Sequence, residues 1–155
     1  MTPTSPEATA RTIAAEHGNR PEALIDILHQ VQAAVGFVPE VTVPALAEAL
    51  NLSRAEVHGV VTFYHDFRSA PAGSHVLKIC RAEACQSMGG EALVERAENR
   101  LGVACGGTSA DGRVTLEPIY CLGLCATAPS AMMDGKIVGR VTPAKLDALL
   151  KDAGA

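Results

Sequence analysis

Four of the five cysteines in this chain fall in two tight pairs, Cys80-x4-Cys85 and Cys121-x3-Cys125. Thirty-five residues separate the pairs, so each pair is local and folding must bring the two together. Four thiolates meeting in one place suit a metal centre, either iron–sulfur or zinc. Zinc ribbons favour Cys-x2-Cys knuckles in short hairpins, and neither pair has that form. A thioredoxin-type dithiol enzyme would want Cys-x-x-Cys at a helix N-terminus, which is also missing. The surroundings of the pairs favour iron–sulfur, and zinc remains the competing occupant.

The elements that must position these thiols follow from the apolar pattern. His75 to Ile79 is a short apolar strand running into Cys80, and Cys85 lies in the loop beyond it, ahead of Gly89 and Gly90. Glu91 to Leu101 is an amphipathic helix with Leu93, Val94, Ala97 and Leu101 inward, closed by Gly102. Val114 to Tyr120 is a second strand running into Cys121. Residues 131–133 and 136–140 read as two strands around Asp134-Gly135, a strong hairpin turn. Thr142-Pro143 opens a last helix with Leu146, Leu149 and Leu150 inward. The order is β-α-β followed by β-β-α, that of a thioredoxin-like α/β domain. A right-handed crossover makes the first two strands parallel, so both end on one edge of the sheet. Neighbouring strands lie ~4.8 Å apart, which a two-iron core can bridge. Cys80 and Cys85 would then hold one iron, and Cys121 and Cys125 the other. Gly89, Gly90 and Gly123 would let backbone approach closely and aim N–H groups at sulfur.

Residues 7–67 read as a helical bundle. Leu24, Ile27, Leu28, Val31 and Val35 recur at helical spacing after Pro21, and Gly36 stops them. Pro44 opens a second segment with Leu46, Ala47 and Leu50. Ser53 and Glu56 form a capping box for a third, which presents Val57, Val60, Val61 and Tyr64. Phe63, Tyr64 and Phe67 are either aromatic anchors of a docking surface or core. The core reading takes precedence, because buried helix faces look the same. Arg68 to Gly73 is rich in turn residues and divides a helical domain, residues 1–70, from the thioredoxin-like domain, residues 74–155.

Composition narrows the function classes. With 48% hydrophobic and 19% charged residues the chain is globular, and a net charge of −4 gives no general attraction to nucleic acid or anionic membrane. No stretch approaches the ~18 apolar residues of a membrane span. The segment from Met1 to Glu7 lacks the basic and apolar regions of a secretory signal, which points to the cytoplasm. Structural disulfides are rare there, and an odd cysteine count does not suit a disulfide framework. Neither Gly-x-Gly-x-x-Gly after a strand nor Gly-x4-Gly-Lys-Ser/Thr occurs, so no nucleotide site is expected.

The remaining groups are read plainly. Cys105 is taken as a small buried or loop residue rather than a spare ligand. His58 and His65, two helical turns apart, would share a face as surface or interface residues. Arg81, next to Cys80, would favour the reduced state of a cluster. At ~8 Å and an effective dielectric of ~20, one charge is worth about 2 kcal/mol, or on the order of 90 mV, before solvent screening. Pro129 would shape the second ligand loop.

The run Cys80-Arg-Ala-Glu-Ala-Cys85-Gln-Ser-Met-Gly-Gly90, with Tyr120-Cys-Leu-Gly-Leu-Cys125-Ala-Thr-Ala-Pro-Ser130, resembles the thioredoxin-like 2Fe–2S subunits of NADH dehydrogenase type. The helical part, with His58-Gly-Val-Val-Thr-Phe-Tyr64, also looks like the N-terminal region of that family. The family includes the 24 kDa subunit of respiratory complex I, the small diaphorase subunit of NAD-reducing hydrogenases, and the gamma subunit of soluble NAD-dependent formate dehydrogenases. Complex I members commonly show Thr-x-x-Pro-Cys at the second ligand, where this chain has Glu83-Ala84-Cys85. The wording here looks most like the formate dehydrogenase gamma subunit.

The resemblance implies one 2Fe–2S cluster on Cys80, Cys85, Cys121 and Cys125. It implies an electron-transfer subunit of an oxidoreductase, with no substrate site of its own. The implied partners are an NAD-binding subunit carrying FMN and a 4Fe–4S cluster, and a molybdenum- and iron–sulfur-containing formate dehydrogenase subunit. Neither nucleic acid nor direct membrane contact is expected. A zinc-stabilised interaction module is the alternative from another class.

Overall fold

The computed structural model describes residues 5–155, which form two compact units, one reaching Pro71 and the other spanning Ala72–Ala155. Part of the N-terminal segment read for a secretory signal, residues 1–4, lies outside the described residues.

The first unit is all helical. Helix α1 (Pro6–Glu16) starts at Ser5, whose hydroxyl accepts the Ala8 N–H, as an N-cap should. Pro21 opens a single 3-10 turn, Pro21–Ala23, instead of the helix itself, and α2 (Leu24–Val35) follows and ends at left-handed Gly36. Helix α3 (Thr42–Leu50) starts two residues before Pro44, and α4 (Arg54–Phe63) carries the capping box of Ser53 and Glu56. Ile27, Leu28, Val31, Leu46, Leu50 and Val57 are wholly or almost wholly buried in the shared core. Burying each such side chain is worth about 1.5–3 kcal/mol, which is what holds helices this short in place.

The aromatic group divides. Phe67 is buried against His29, with ring centroids 4.9 Å apart, whereas Phe63 is 73% exposed and Tyr64 is partly exposed. Phe67 is therefore core and not a docking anchor. The chain leaves helical geometry at Tyr64, so His65 is off the helix and shares no helical face with His58. Gln32 fixes this exit by donating to the Asp66 carbonyl at 2.7 Å and accepting from the Arg68 N–H at 2.7 Å.

The second unit is a four-stranded sheet with two main helices. Strand β1 (His75–Cys80) is followed by a short helix α5 (Glu83–Ser87) and then α6 (Gly90–Leu101). Strand β2 (Val114–Ile119), the hairpin β3 (Ala131–Met133) and β4 (Lys136–Val138), and α7 (Pro143–Asp152) complete it. The order across the sheet is β2-β1-β3-β4, with β1 and β2 parallel and the other pairs antiparallel. Cys85 thus lies on a helix, not in a loop, and the last strand stops at Val138 rather than residue 140.

Sequence chemistry explains these elements. Alternation along β1 buries Leu77 and Ile79, which meet Val114 and Leu116 of β2 beneath Leu93, Val94 and Ala97 of α6 and Leu146 and Leu150 of α7. The Asp134-Gly135 turn has positive φ at both residues, 50° and 81°, the geometry of a type I′ hairpin. Asp134 secures it further by accepting the Val76 N–H at 2.8 Å and pairing with His75 at 2.7 Å. Beyond β2 on the outer side, residues 106–109 run along that strand through Gly106 N–H to the Leu116 carbonyl and Leu116 N–H to the Gly107 carbonyl. Among the described residues no helix is long and apolar enough to cross a membrane.

Candidate metal centre

Parallel pairing puts the cysteines together. Cys80 is the last residue of β1 and lies opposite Ile119, the last residue of β2. The Arg81 N–H continues the ladder by donating to the Ile119 carbonyl at 2.8 Å. Two residues past β2 comes Cys121, held at φ 84°, a conformation a non-glycine residue adopts only under local constraint. Cys125 begins a 3-10 turn, Cys125–Thr127. The Ala128–Pro129 bond that follows is cis, and Ser130 leads into β3.

The second pair is closed in space as well as in sequence. The Sγ atoms of Cys121 and Cys125 are 3.7 Å apart. Two thiolates on one tetrahedral metal, each ~2.3 Å from it, stand ~3.8 Å apart, so this spacing already suits one metal ion. Cys80 ends β1 and Cys85 lies on α5, both buried, with the Cys85 sulfur 3.5 Å from the Ser130 hydroxyl. The Gly123 N–H donates to the Cys121 sulfur at 3.4 Å, as expected of an amide tuning a thiolate. Among the described residues, no three His, Cys, Asp or Glu side chains converge where a single metal ion could sit.

Burial divides the pairs. Cys80 and Cys85 are 1% and 2% exposed, while Cys121 and Cys125 face solvent. Burial pushes the Cys80 thiol up, but hydrogen bonds from the Ala82 and Cys121 amides and from the Cys85 and Ser130 side chains outweigh it and hold the thiol below its ordinary value. The Cys125 thiol is pushed up, first because its hydrogen bond to the Cys121 sulfur favours the protonated form and then because charge on that sulfur repels a second thiolate.

The glycines have distinct uses. Gly90 lies so near the ligand segments that a Cβ there would sit 2.6 Å from the Cys85 carbonyl oxygen and 3.3 Å from that of Cys80. Gly89 caps α6 at φ 87° with nothing crowding it, so its role is conformational.

Arg81 is not a lone charge. Its guanidinium makes a two-pronged pair with Glu91, at 3.1 and 2.8 Å, and this pair holds the guanidinium pKa above its usual value. The Cys105 thiol is pushed up by burial against the pull of Arg81, and it packs on the core of the sheet unit. Three features beside the cysteines escaped sequence reasoning: Glu91 as the partner of Arg81, the hydroxyl of Ser130, and an exposed apolar rim of Met88 and Tyr120. Met88 follows the first pair and is 62% exposed, and Tyr120 precedes Cys121 and is 68% exposed. Their closeness to Cys85 and Cys121 in sequence was the available signal.

Comparison with known proteins matches these features to relatives. Residues 10–154 match the thioredoxin-like [2Fe-2S] ferredoxin family. An NADH-quinone oxidoreductase subunit of Pseudomonas aeruginosa is 39% identical over 129 residues, covering 83% of this chain and 78% of that protein. The NADP-reducing hydrogenase subunit HndA of Solidesulfovibrio fructosivorans is 31% identical over 129 residues, covering 83% and 75%. Among solved structures, an NAD+-reducing [NiFe]-hydrogenase in the air-oxidized state superposes with a TM-score of 0.71 at 24% identity, over 85% of this chain and 23% of that one. The last likeness concerns the fold alone. With nearly its whole length matched and its cysteines paired at the ends of two parallel strands, this chain belongs to the thioredoxin-like [2Fe-2S] ferredoxin family.

Proposed function

We propose that Cys80, Cys85, Cys121 and Cys125 hold one 2Fe–2S cluster, the first pair on one iron and the second on the other. The observation that carries this reading is that parallel pairing of β1 and β2 brings Cys80 to the same sheet edge as the Cys121–Cys125 pair, whose sulfurs are 3.7 Å apart. Such a cluster supplies one-electron storage. The chain supplies the rest. The ends of β1 and β2 fix the ligand segments, the Gly123 amide steadies a thiolate, and the core beneath Cys80 and Cys85 keeps water from one side.

The exposed pair and its apolar rim of Met88 and Tyr120 form the face through which single electrons pass to a partner. That partner is an NAD-binding subunit with FMN and its own 4Fe–4S cluster, and the whole is a cytoplasmic oxidoreductase. The helical domain, residues 1–70, and the thioredoxin-like domain, residues 74–155, divide the work, with Phe63 and Tyr64 of the first as further docking side chains. The complex is a soluble NAD-dependent formate dehydrogenase with a molybdenum- and iron–sulfur-containing subunit, and this chain is its gamma subunit. Arg81-Ala-Glu-Ala-Cys85 at the second ligand supports that choice. A second reading, the equivalent subunit of an NADH:quinone oxidoreductase, draws on the 39% identity to the Pseudomonas aeruginosa protein.

Iron and sulfide assays with low-temperature EPR of the dithionite-reduced protein test the cofactor. About two irons and two sulfides per chain with a rhombic spin-half signal are expected. A colourless protein holding one zinc would refute the reading. Isolation of the native complex decides the member: a molybdenum subunit oxidising formate is expected, and quinone reductase subunits would favour the second reading.

A further inference from the structure

Ser130 is 1% exposed, and its hydroxyl lies 3.5 Å from the sulfur of Cys85. The Cys85 sulfur satisfies this hydroxyl, and among the described residues no buried side-chain nitrogen or oxygen is left unsatisfied. The backbone fixes this placement. The Ser130 carbonyl accepts the Cys80 N–H at 3.0 Å, and the next residue, Ala131, is in register with Ile79. Ser130 therefore continues β3 alongside the end of β1, with its hydroxyl at the Cys85 sulfur.

A hydroxyl has one proton to give, and a metal-bound thiolate has none. With Cys85 as a ligand, the direction of the contact is settled: Ser130 donates. Water does not reach so buried a hydroxyl to compete for that proton. A hydrogen bond strengthens as its acceptor gains negative charge, so it favours the reduced cluster over the oxidised one.

We infer that Ser130 is a positioning residue that raises the reduction potential of the cluster by donating its hydroxyl proton to the thiolate of Cys85. The inference rests on the reading of Cys85 as a ligand. The hydroxyl touches sulfur and not iron, so it sets the energy of the electron without adding a fifth ligand.

The test is a redox titration of the full chain, followed by EPR and visible absorbance, for the wild type and for Ser130→Ala, Ser130→Thr and Ser130→Val. At a fixed ambient potential, the ratio of reduced to oxidised cluster should fall about three- to tenfold in the Ala and Val variants, tenfold being 59 mV for one electron. Thr restores the hydroxyl and should stay within about twofold of the wild type. Thr and Val share a shape, so their difference isolates the hydroxyl even if Ala disturbs packing. An unchanged ratio in Ser130→Ala with full iron, or equal shifts in Thr and Val, would overturn the inference. A wild-type chain without iron and sulfide would instead overturn the ligand reading beneath it.

Discussion

Replacing Gly90 with alanine is the sharpest test of how the metal centre is built. At an ordinary position early in a helix, Gly→Ala stabilises by about 0.5–1 kcal/mol. Here the added Cβ would sit 2.6 Å from the Cys85 carbonyl oxygen and 3.0 Å from its carbonyl carbon, all backbone that cannot rotate away. Ordinary contacts begin near ~3.5 Å, so α6 and the ligand segment must move apart by the better part of an ångström. Overpacking of that kind costs about 1–3 kcal/mol and outweighs the helix gain. We expect a net loss of roughly 1–2 kcal/mol and a Tm lower by about 5–10 °C for a unit of this size. Iron content should fall with it, because Cys85 is the residue displaced.

Gly89→Ala provides the control. Its φ of 87° costs a side chain about 1–2 kcal/mol, yet nothing lies within 4 Å of the new Cβ. Thermal unfolding by circular dichroism and iron per chain measure both variants. Gly89→Ala should lose stability and keep its iron, whereas Gly90→Ala should lose both. A Gly90→Ala protein with unchanged Tm and full iron would refute the argument that close backbone approach positions the first ligand pair.

Pairing of Arg81 with Glu91 changes what its removal does. Arg81→Ala leaves Glu91 unbalanced and should lower the midpoint potential, Glu91→Gln should raise it, and the double variant should return near the wild type. At ~8 Å, effective dielectrics of ~80 and ~20 bracket each single shift between roughly 20 and 90 mV, with the lower end favoured by the pair's partial exposure. Cys105→Ser should keep the visible absorbance and iron content, and Cys105, its thiol pushed up by burial, should alkylate more slowly than the exposed cysteines of the apoprotein. For Asp134, burial pushes the carboxyl up, but the bonds from His75 and the Val76 amide outweigh it and hold it below its usual value. A depressed carboxyl contributes stability above its unfolded value of ~3.9 that is lost as pH falls through the folded one. The Tm advantage of the wild type over Asp134→Asn should therefore be present at neutral pH and shrink below about pH 4.

The fold was legible where its signals are local. Alternating residues 75–79, the Asp134-Gly135 turn and the Thr142-Pro143 cap each act over a few residues, and chirality joined them into parallel strands ending at Cys80 and near Cys121. Helix α5 was not legible, because five residues without a side-chain cap carry no periodicity to detect. His65 failed for a similar reason: whether α4 continues past Phe63 depends on the Gln32 clamp, contributed from far back in the chain. Phe63 and Phe67 read alike in sequence, and only packing against α2 separates the exposed ring from the buried one. The partners of Arg81 and of the Ser130 hydroxyl are likewise products of tertiary contact, ten residues apart in one case and forty-five in the other.

Both margins of the sheet are closed to extension. On one side β4 is only three residues long and begins with Lys136. On the other, residues 106–109 occupy the hydrogen-bonding groups that β2 would otherwise offer. Open margins invite strand-to-strand polymerisation, and a short charged strand or a covering segment prevents it. The chain is thereby protected from stacking onto its own copies. Recognition is left to side chains, which can distinguish one protein from another as backbone edges cannot.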